Sequence, residues 1–476
     1  MTAKRFWDKF SKESILTLYT PFVVSLASGN LKLDTFGHYI AQDLHFLKCF
    51  AQAYELAEDC ADDDDAKVSI VELRKRVLKQ LKHHASFLQE WGLDLSKETT
   101  PNSATTKYTN FVLATASGKV EGVKGPGELA TPFEKTKVAA YTLGAMAPSM
   151  RLNVFLGKEL MDVNGDEHPY KKWIDKYSSE AYQAAMLQTE DVLDKLSVSL
   201  TDQSQPENQS QIARMSSADL RNTWEVLSRE YTEEYEQCTE SMLANQKVEE
   251  FDYEGLKTAL EQLSEFERRA NMRVIESNVL PGLNLEDIKR AGERLILHDG
   301  CMGFFQSITN NKNLNVNVNI HVLSYCWCAD LIRSAFSSGG IHTMHVHANE
   351  FEFENSLSTG EIIKKVETPT DKLQAFTDIL KSSDQSDKTN LTVYIGDSVG
   401  DLLCLLEADI GIVFGSSSSL RRIASHFGVS FVPLFPALIK KQKEHVEGSD
   451  FSWKALSGVL YTVSSWAEVH SFIIGC

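Results

Sequence analysis

VYIGDSVGDLLCL, residues 393–405, decides how the C-terminal half of this sequence is read. A β-branched run ends in Gly396, and Asp397 and Asp401 follow where a strand would deliver them, at the carboxyl end, where open α/β sheets build their sites. Two carboxylates four residues apart beside a strand terminus suit a hard Mg²⁺ ion, which takes oxygen ligands and keeps water and substrate phosphate in its other positions. The competing structural role for Asp397 is to cap the helix that follows.

Working outward, strand-like runs lie at 319–325, 342–348, 391–396, 410–415 and 429–435, several separated by helix-length segments. Such alternation predicts a mostly parallel, doubly wound sheet over 294–476. Ser324 ends the strand HVLS, where a hydroxyl and nearby backbone amides could hold a phosphoryl oxygen. Lys372, in TPTDKLQAF, enters the helix before LTVYIG, where an ammonium could neutralise a transferring phosphoryl group. Residues 216–293 are helical in pattern and rich in Glu and Arg, and the polar stretch TDQSQPENQSQ places a linker at 201–215.

Residues 1–200 carry long helical periodicities and almost no strand signal, which predicts an all-α bundle. Phe36, Ile40, Leu47, Phe50 and Tyr54 form one apolar stripe, and Asp43 lies on it. A carboxylate on an apolar helix face is costly unless something pairs with it, so Asp43 is either solvated at a cleft or held for a purpose.

Composition narrows the partners. A formal charge of −18 over 476 residues, with no basic stripe, disfavours nucleic acid, and no apolar run approaches the length of a membrane span. Eight cysteines without paired spacing read as reduced thiols, Cys326 and Cys328 among them as packing residues. With no leader pattern in MTAKRFWDKF, these features place the chain in the cytosol.

Strand-Ser, then Lys, then GDSxGD resemble the second, third and fourth motifs of the haloacid-dehalogenase (HAD) phosphatases, with 216–293 standing where that family carries a helical cap. HVLSYCWCADLIRSAF, GDSVGDLLCLLEADIGIV and SSSSLRRIASHFGVSFVPLF look like the plant fusions of a TenA-like bundle to such a phosphatase. LASGNLKLDTFGHYIAQDLHFLKCFAQAYELA and HPYKKWIDKYSS resemble the TenA family. The resemblance implies thiamin metabolism: a Mg²⁺-dependent phosphatase releasing thiamin from thiamin monophosphate, and a bundle for aminopyrimidine salvage. It further implies Ser324 and Lys372 as catalytic and Asp397 and Asp401 as metal ligands. In the bundle it implies Asp43 as the partner of the pyrimidine amine, Tyr108 and Tyr177 as pocket walls, Ser149 after Pro148 where hydrolytic members carry cysteine, and homo-oligomers formed through the bundle.

The sequence departs from the phosphatase pattern in one respect. The family's first motif, D-x-D-x-T after a central strand, supplies the nucleophile and its acid partner, and it is absent here. The D-x-D spacing occurs only in the run Asp62 to Asp65, and LSVSLTD at 196–202, ending at Asp202, is the candidate substitute strand. The simplest reading is a segment missing between bundle and cap, which also removes the last bundle helix and its glutamate acid/base. The alternative to an enzyme is then a thiamin- or aminopyrimidine-binding protein.

Overall fold

The computed structural model describes residues 2–61, 64–90, 100–118, 132–161, 165, 167–197, 217–244, 246–310, 318–383, 391–446 and 453–475. The proposed linker, residues 198–202 of the substitute strand and the first half of the Asp62 to Asp65 run lie outside them; Leu196 and Ser197, read as the start of that strand, instead end helix Glu180–Ser197. The chain divides into two compact units, Met1–Glu207 with Ile439–Gly448, and Asn208–Leu438 with Ser449–Cys476.

The first unit is all-helical: α1 (Thr2–Lys9), α2 (Ser11–Leu18), α3 (Pro21–Ala27), α4 (Leu33–Cys60), α5 (Asp64–Glu90), α6 (Ser103–Ala116), α7 (Pro132–Met161), α8 (Lys171–Ser178) and α9 (Glu180–Ser197). Local chemistry sets several starts. Thr20 caps α3 with Pro21 at its first position, and Asn102 caps α6 by accepting from the Thr105 amide at 2.8 Å. The Asn102 amide in turn donates to Gln42 Oε1 at 2.9 Å, tying α6 to α4. The stripe Phe36, Ile40, Leu47, Phe50 and Tyr54 is buried, and α4, α5, α6, α7 and α9 share one apolar core. Gly157 lets α7 approach α8 closely, since a Cβ there would meet the Tyr177 carbonyl carbon at 2.6 Å.

The second unit comprises α10 (Ser217–Met242), α11 (Tyr253–Glu276), α12 (Leu285–Glu293), α13 (Cys301–Asn310), β1 (His321–Leu323), α14 (Ala329–Ser338), β2 (His345–His347), β3 (Glu350–Glu354), β4 (Leu357–Ile363), α15 (Pro369–Ser383), β5 (Val393–Gly396), α16 (Leu402–Glu407), β6 (Ile410–Phe414), α17 (Ser418–His426), β7 (Ser430–Pro433), the start of α18 (Leu434–Val446), whose residues from Ile439 are assigned to the first unit, β8 (Val459–Val463) and α19 (Trp466–Ile473). β5, β6, β8 and β7 pair in that order, all parallel. Alternation along β6 builds two layers: Val413 joins the core under α11, α15, α16 and α17, whereas Ile410 and Ile412 join the core under α13 and α19. This is the doubly wound α/β architecture expected from the sequence.

Three features differ from the sequence reading. β8 was not anticipated, although GVLYTV is an apolar run after a glycine. β3 and β4 form an antiparallel hairpin whose loop residues Asn355 and Ser356 have φ of 50° and 67°, the left-handed pair a two-residue turn requires. The parallel strands also do not form one sheet. β1 and β2 pair only with each other, so that among the described residues β1 and β5 each keep one unpaired edge.

Strand burial follows this interruption. β6, with neighbours on both sides, is buried at four of its five residues, whereas β1 is half-buried throughout and β5 is buried only at Tyr394. Amide hydrogen exchange should therefore be faster in β1 and β5 than in β6, because the outward N–H groups have no ladder partner. Equal protection of all three strands would show that the open edges are covered.

Candidate functional site

In the α/β unit the site forms at the carboxyl ends of β1 and β5. Asp401 lies in a short 3-10 turn, Val399–Asp401, directly after β5, and its carboxylate folds back against the strand end. The fold-back requires Gly396, where a Cβ would meet Asp401 Cγ at 2.6 Å. Oδ1 accepts from Lys372 Nζ at 2.9 Å and from the Tyr394 hydroxyl at 2.9 Å. Oδ2 accepts from the Asp397 and Ser398 amides at 3.3 and 3.1 Å and from Ser398 Oγ at 2.7 Å.

Asp401 and Lys372 are both buried. Burial acts to raise the Asp401 pKa, but the Lys372 ammonium and the Ser398 hydrogen bonds outweigh it and hold the carboxyl below its ordinary value. The Tyr394 phenol is pushed far up, first by burial and then by the Asp401 charge. Lys372 also lies 4.1 Å from the centre of the Tyr325 ring, whose hydroxyl reaches the Gly400 carbonyl at 3.3 Å. Gly400 leaves the room for it, because a Cβ there would stand 2.4 Å from the Tyr325 oxygen.

The four sequence-derived residues of this half therefore separate into distinct positions. Asp397 is exposed, its carboxylate beside the strand end. Asp401 has every oxygen engaged by protein donors and supports the turn from behind. Ser324 is half-buried, accepting the Cys326 amide at 3.1 Å, with its own O–H still to donate. Lys372 is locked onto Asp401. One carboxylate together with water and substrate phosphate is a donor set that Mg²⁺ accepts, and Asp397 fits that role. Asp401 does not fit as a direct ligand without losing its present bonds. Among the described residues no three His, Cys, Asp or Glu side chains are grouped to hold a metal ion.

Sequence reasoning missed Tyr325, Tyr394 and Asn349. The Asn349 side chain is fully buried, donating to the carbonyls of Tyr325 and Val366 and accepting from the amides of Lys365 and Val366. It fastens the loop after β1 to the segment that leads into α15. Nothing in the stretch HANEFEF advertises this, since the partners are distant in sequence.

In the bundle, Asp43 is half-buried in α4, one turn from Tyr39. It acts electrostatically on Tyr39, Lys176, Tyr177 and Tyr182. Burial first, and Asp43 second, raise the phenols of Tyr39 and Tyr177. Burial lowers the Lys176 ammonium, and Asp43 opposes that. Tyr177 is packed against Trp173 and Tyr182 at ring distances of 4.7 and 4.9 Å, with Lys176 over its face at 4.7 Å.

Tyr108 and Ser149 form a second group. Pro148 lies inside α7, and on the same stretch Tyr108 donates to the Ala145 carbonyl at 2.7 Å and Ser149 to the Met146 carbonyl at 3.0 Å. Tyr108 also packs against Phe46, one turn beyond Asp43. Tyr54, its phenol pushed up by burial to about 12, is a neighbour of both Tyr108 and Tyr182 and links the two groups. Among the described residues these groups bring aromatic rings and the Asp43 carboxylate together, chemistry suited to a flat ring bearing an amine. Tyr39, at helical spacing from Asp43, was legible in the sequence; Trp173, Lys176 and Tyr182 were not.

Removing one partner of a buried ion pair leaves the other charge uncompensated, so Asp401→Asn should destabilise the α/β unit by about 3–5 kcal/mol. Asp397→Asn, at an exposed position, should change stability by no more than about 0.5 kcal/mol. Because the folded-state pKa of Asp401 lies below its unfolded value of about 3.9, this stabilisation is present above that value and lost as pH falls below it. Denaturant titrations of both variants between neutral and acidic pH measure the contrast; equal stabilities would remove Asp401 from its anchoring role.

Comparison with known proteins follows the same division. The TENA/THI-4/PQQC family model matches residues 13–120. The "Thiamine biosynthesis multifunctional protein ThiED" of Corynebacterium efficiens is 27% identical over 166 residues, 34% of this chain and 20% of that protein. A solved TenA homologue from Pyrococcus furiosus shares 20% identity, covering 42% of this chain and 88% of that one, at a TM-score of 0.34, too low to carry an argument. The "Bifunctional TH2 protein, mitochondrial" of Arabidopsis thaliana is 56% identical over 549 aligned positions, taking in 99% of this chain and 89% of that protein. Against 476 residues here, at least 73 of those positions hold no residue of this chain. That relative's name also overturns the cytosolic expectation, which rested on cysteine spacing and an unremarkable start, neither of which specifies a compartment. By this near-complete match, the chain belongs to the family of the bifunctional TH2 protein.

Proposed function

We propose that this chain acts in thiamin metabolism, its bundle holding an aminopyrimidine and its α/β unit built as a Mg²⁺-dependent phosphomonoesterase for thiamin monophosphate. The observation that carries the reading is the constellation at the carboxyl ends of β1 and β5: Asp397 exposed, Lys372 buried on Asp401, and Ser324 with no acceptor for its hydroxyl proton among the described residues. In this reading Asp397 would hold Mg²⁺, whose chemistry is to neutralise phosphoryl oxygens. Ser324 donates to a phosphoryl oxygen, and the Lys372 charge, fixed by Asp401 and the Tyr325 ring, stabilises negative charge developing on the transferred group.

A second reading has its own support. The described site offers no carboxylate free to attack phosphorus apart from the candidate metal ligand, and Ser149 in the bundle donates its hydroxyl proton to a carbonyl. We place the positions missing from the TH2 alignment at the junction of the two units, where the first motif would stand. The chain as written then binds its ligands and turns them over slowly.

Loss of acid–base catalysis alone costs about 10²–10⁴-fold. Thiamin monophosphate hydrolysis by this chain should accordingly be at least about a hundredfold slower than by a relative carrying the first motif. Turnover within tenfold of that relative, abolished by Asp397→Asn, would show that another residue supplies the nucleophile. For the bundle, Asp43→Ala should weaken binding of 4-amino-5-hydroxymethyl-2-methylpyrimidine by about 1–3 kcal/mol, the cost of unpairing a buried polar contact. Isothermal calorimetry giving equal affinities for the two proteins would exclude Asp43 from the site.

A further inference from the structure

We propose that Lys176 is a charge selector for the bundle's ligand: its ammonium admits a neutral aminopyrimidine to Asp43 and repels the same pyrimidine when it carries a permanent positive charge, as in thiamin. The inference rests on the reading that Asp43 takes the pyrimidine amine, and it adds the residue that decides which bearers of that amine are accepted.

The geometry is set by α8. Trp173, Ile174 and Tyr177 are its buried residues, and Lys176, next in the chain to Tyr177, is half-buried. The Lys176 Nζ donates to the Tyr177 oxygen at 3.4 Å and lies 4.7 Å from the centre of that ring. Trp173 stands tilted to the same ring at 4.7 Å, and Tyr182 meets it edge-on at 4.9 Å. A cation–π contact is what an aromatic wall offers a cationic ligand, and on Tyr177 the protein's own lysine already makes it. A cationic guest therefore gains nothing from this ring and meets an ammonium beside it.

The charges point the same way. Asp43 acts on Lys176 as well as on the phenols of Tyr39, Tyr177 and Tyr182, so the ammonium and these rings share the reach of one carboxylate. Burial favours loss of the Lys176 charge and Asp43 opposes it, which makes the carboxylate the counter-ion of the lysine. Together the two groups carry no net charge. A neutral aminopyrimidine finds an acceptor for its amine and meets no repulsion. A thiazolium joined to that ring brings a second positive charge to a carboxylate that already has one. Two like charges about 6 Å apart, at an effective dielectric constant of about 20, repel enough to change affinity roughly a hundredfold, and solvent at the half-buried lysine reduces this to about tenfold. In a chain whose α/β unit releases thiamin, such selection keeps that product off the bundle.

Isothermal calorimetry on the full chain tests this with three probes: 4-amino-5-hydroxymethyl-2-methylpyrimidine, thiamin, and the uncharged isostere of thiamin in which a thiophene replaces the thiazolium. The last two differ in charge and hardly in shape. The chain should bind the isostere at least about tenfold more tightly than thiamin. Lys176→Gln should bring the two within about threefold by tightening thiamin, with the affinity for the pyrimidine also held within about threefold, whereas Lys176→Arg, which keeps the charge, should keep the preference. Equal affinities for thiamin and its isostere in the unaltered chain overturn the selector. So does a preference that survives Lys176→Gln, or a Lys176→Gln that weakens all three probes alike, the mark of a lysine that only supports Asp43. Pyrimidine binding with neither larger probe bound shows selection by size and overturns it as well. In each of these results the pyrimidine still binds, and the aminopyrimidine reading stands; failure of the pyrimidine itself to bind removes that reading and the selector together.

Discussion

The pairing of Lys372 with Asp401 is the constraint on which the α/β unit's site depends. Two opposite charges are removed from water at the junction of α15 and the turn after β5, and neither is tolerable there without the other. Asp401 is over-determined by five donors, so its position is fixed. Through it Lys372, Tyr394 and Ser398 are fixed as well. Lys372 then carries Tyr325 on its charge, and Tyr325 carries the loop after β1 to within hydrogen-bonding distance of Gly400. Each glycine of GDSVGD removes a clash within this cluster, with Asp401 at Gly396 and with Tyr325 at Gly400.

This anchoring explains how an interrupted sheet keeps an ordered edge. In an unbroken parallel sheet the central strand satisfies the backbone groups of both neighbours and sets their spacing. Here the neighbours are separate, and their carboxyl ends are joined by an ion pair, a cation–π contact and one tyrosine hydrogen bond. Asn349 adds a second tie by binding the β1 loop to the segment before α15. Side-chain chemistry thus holds Lys372, Asp401 and Tyr325 in place where no backbone ladder joins β1 to β5 among the described residues.

The bundle relies on different physics. There desolvation dominates: Tyr39, Tyr177 and Tyr182 are buried within electrostatic reach of Asp43, and burial first, then the Asp43 charge, raises their phenols. Beside Pro148 the hydroxyls of Tyr108 and Ser149 bond the Ala145 and Met146 carbonyls of α7.

Periodicity and composition alone determined the bundle, the five parallel strands and the helices of 216–293. Those signals are local: a 3.6-residue stripe such as Phe36 to Tyr54, or a β-branched run such as VYIG, reports which face of its own element is buried. The motif GDSVGD gave the site for a similar reason, since its spacing places two carboxylates on one turn. The different fates of those carboxylates were decided only in three dimensions. Asp397 faces solvent and Asp401 is consumed by donors from α15, β5 and its own turn, because Lys372 and Tyr394 reach it from other parts of the fold. The hairpin of β3 and β4 and the strand β8 had local signals in Asn355–Ser356 and GVLYTV. The open edges of β1 and β5 had none, because strand pairing is a relation between segments far apart in the chain, and no residue of either strand records whether its neighbour is present.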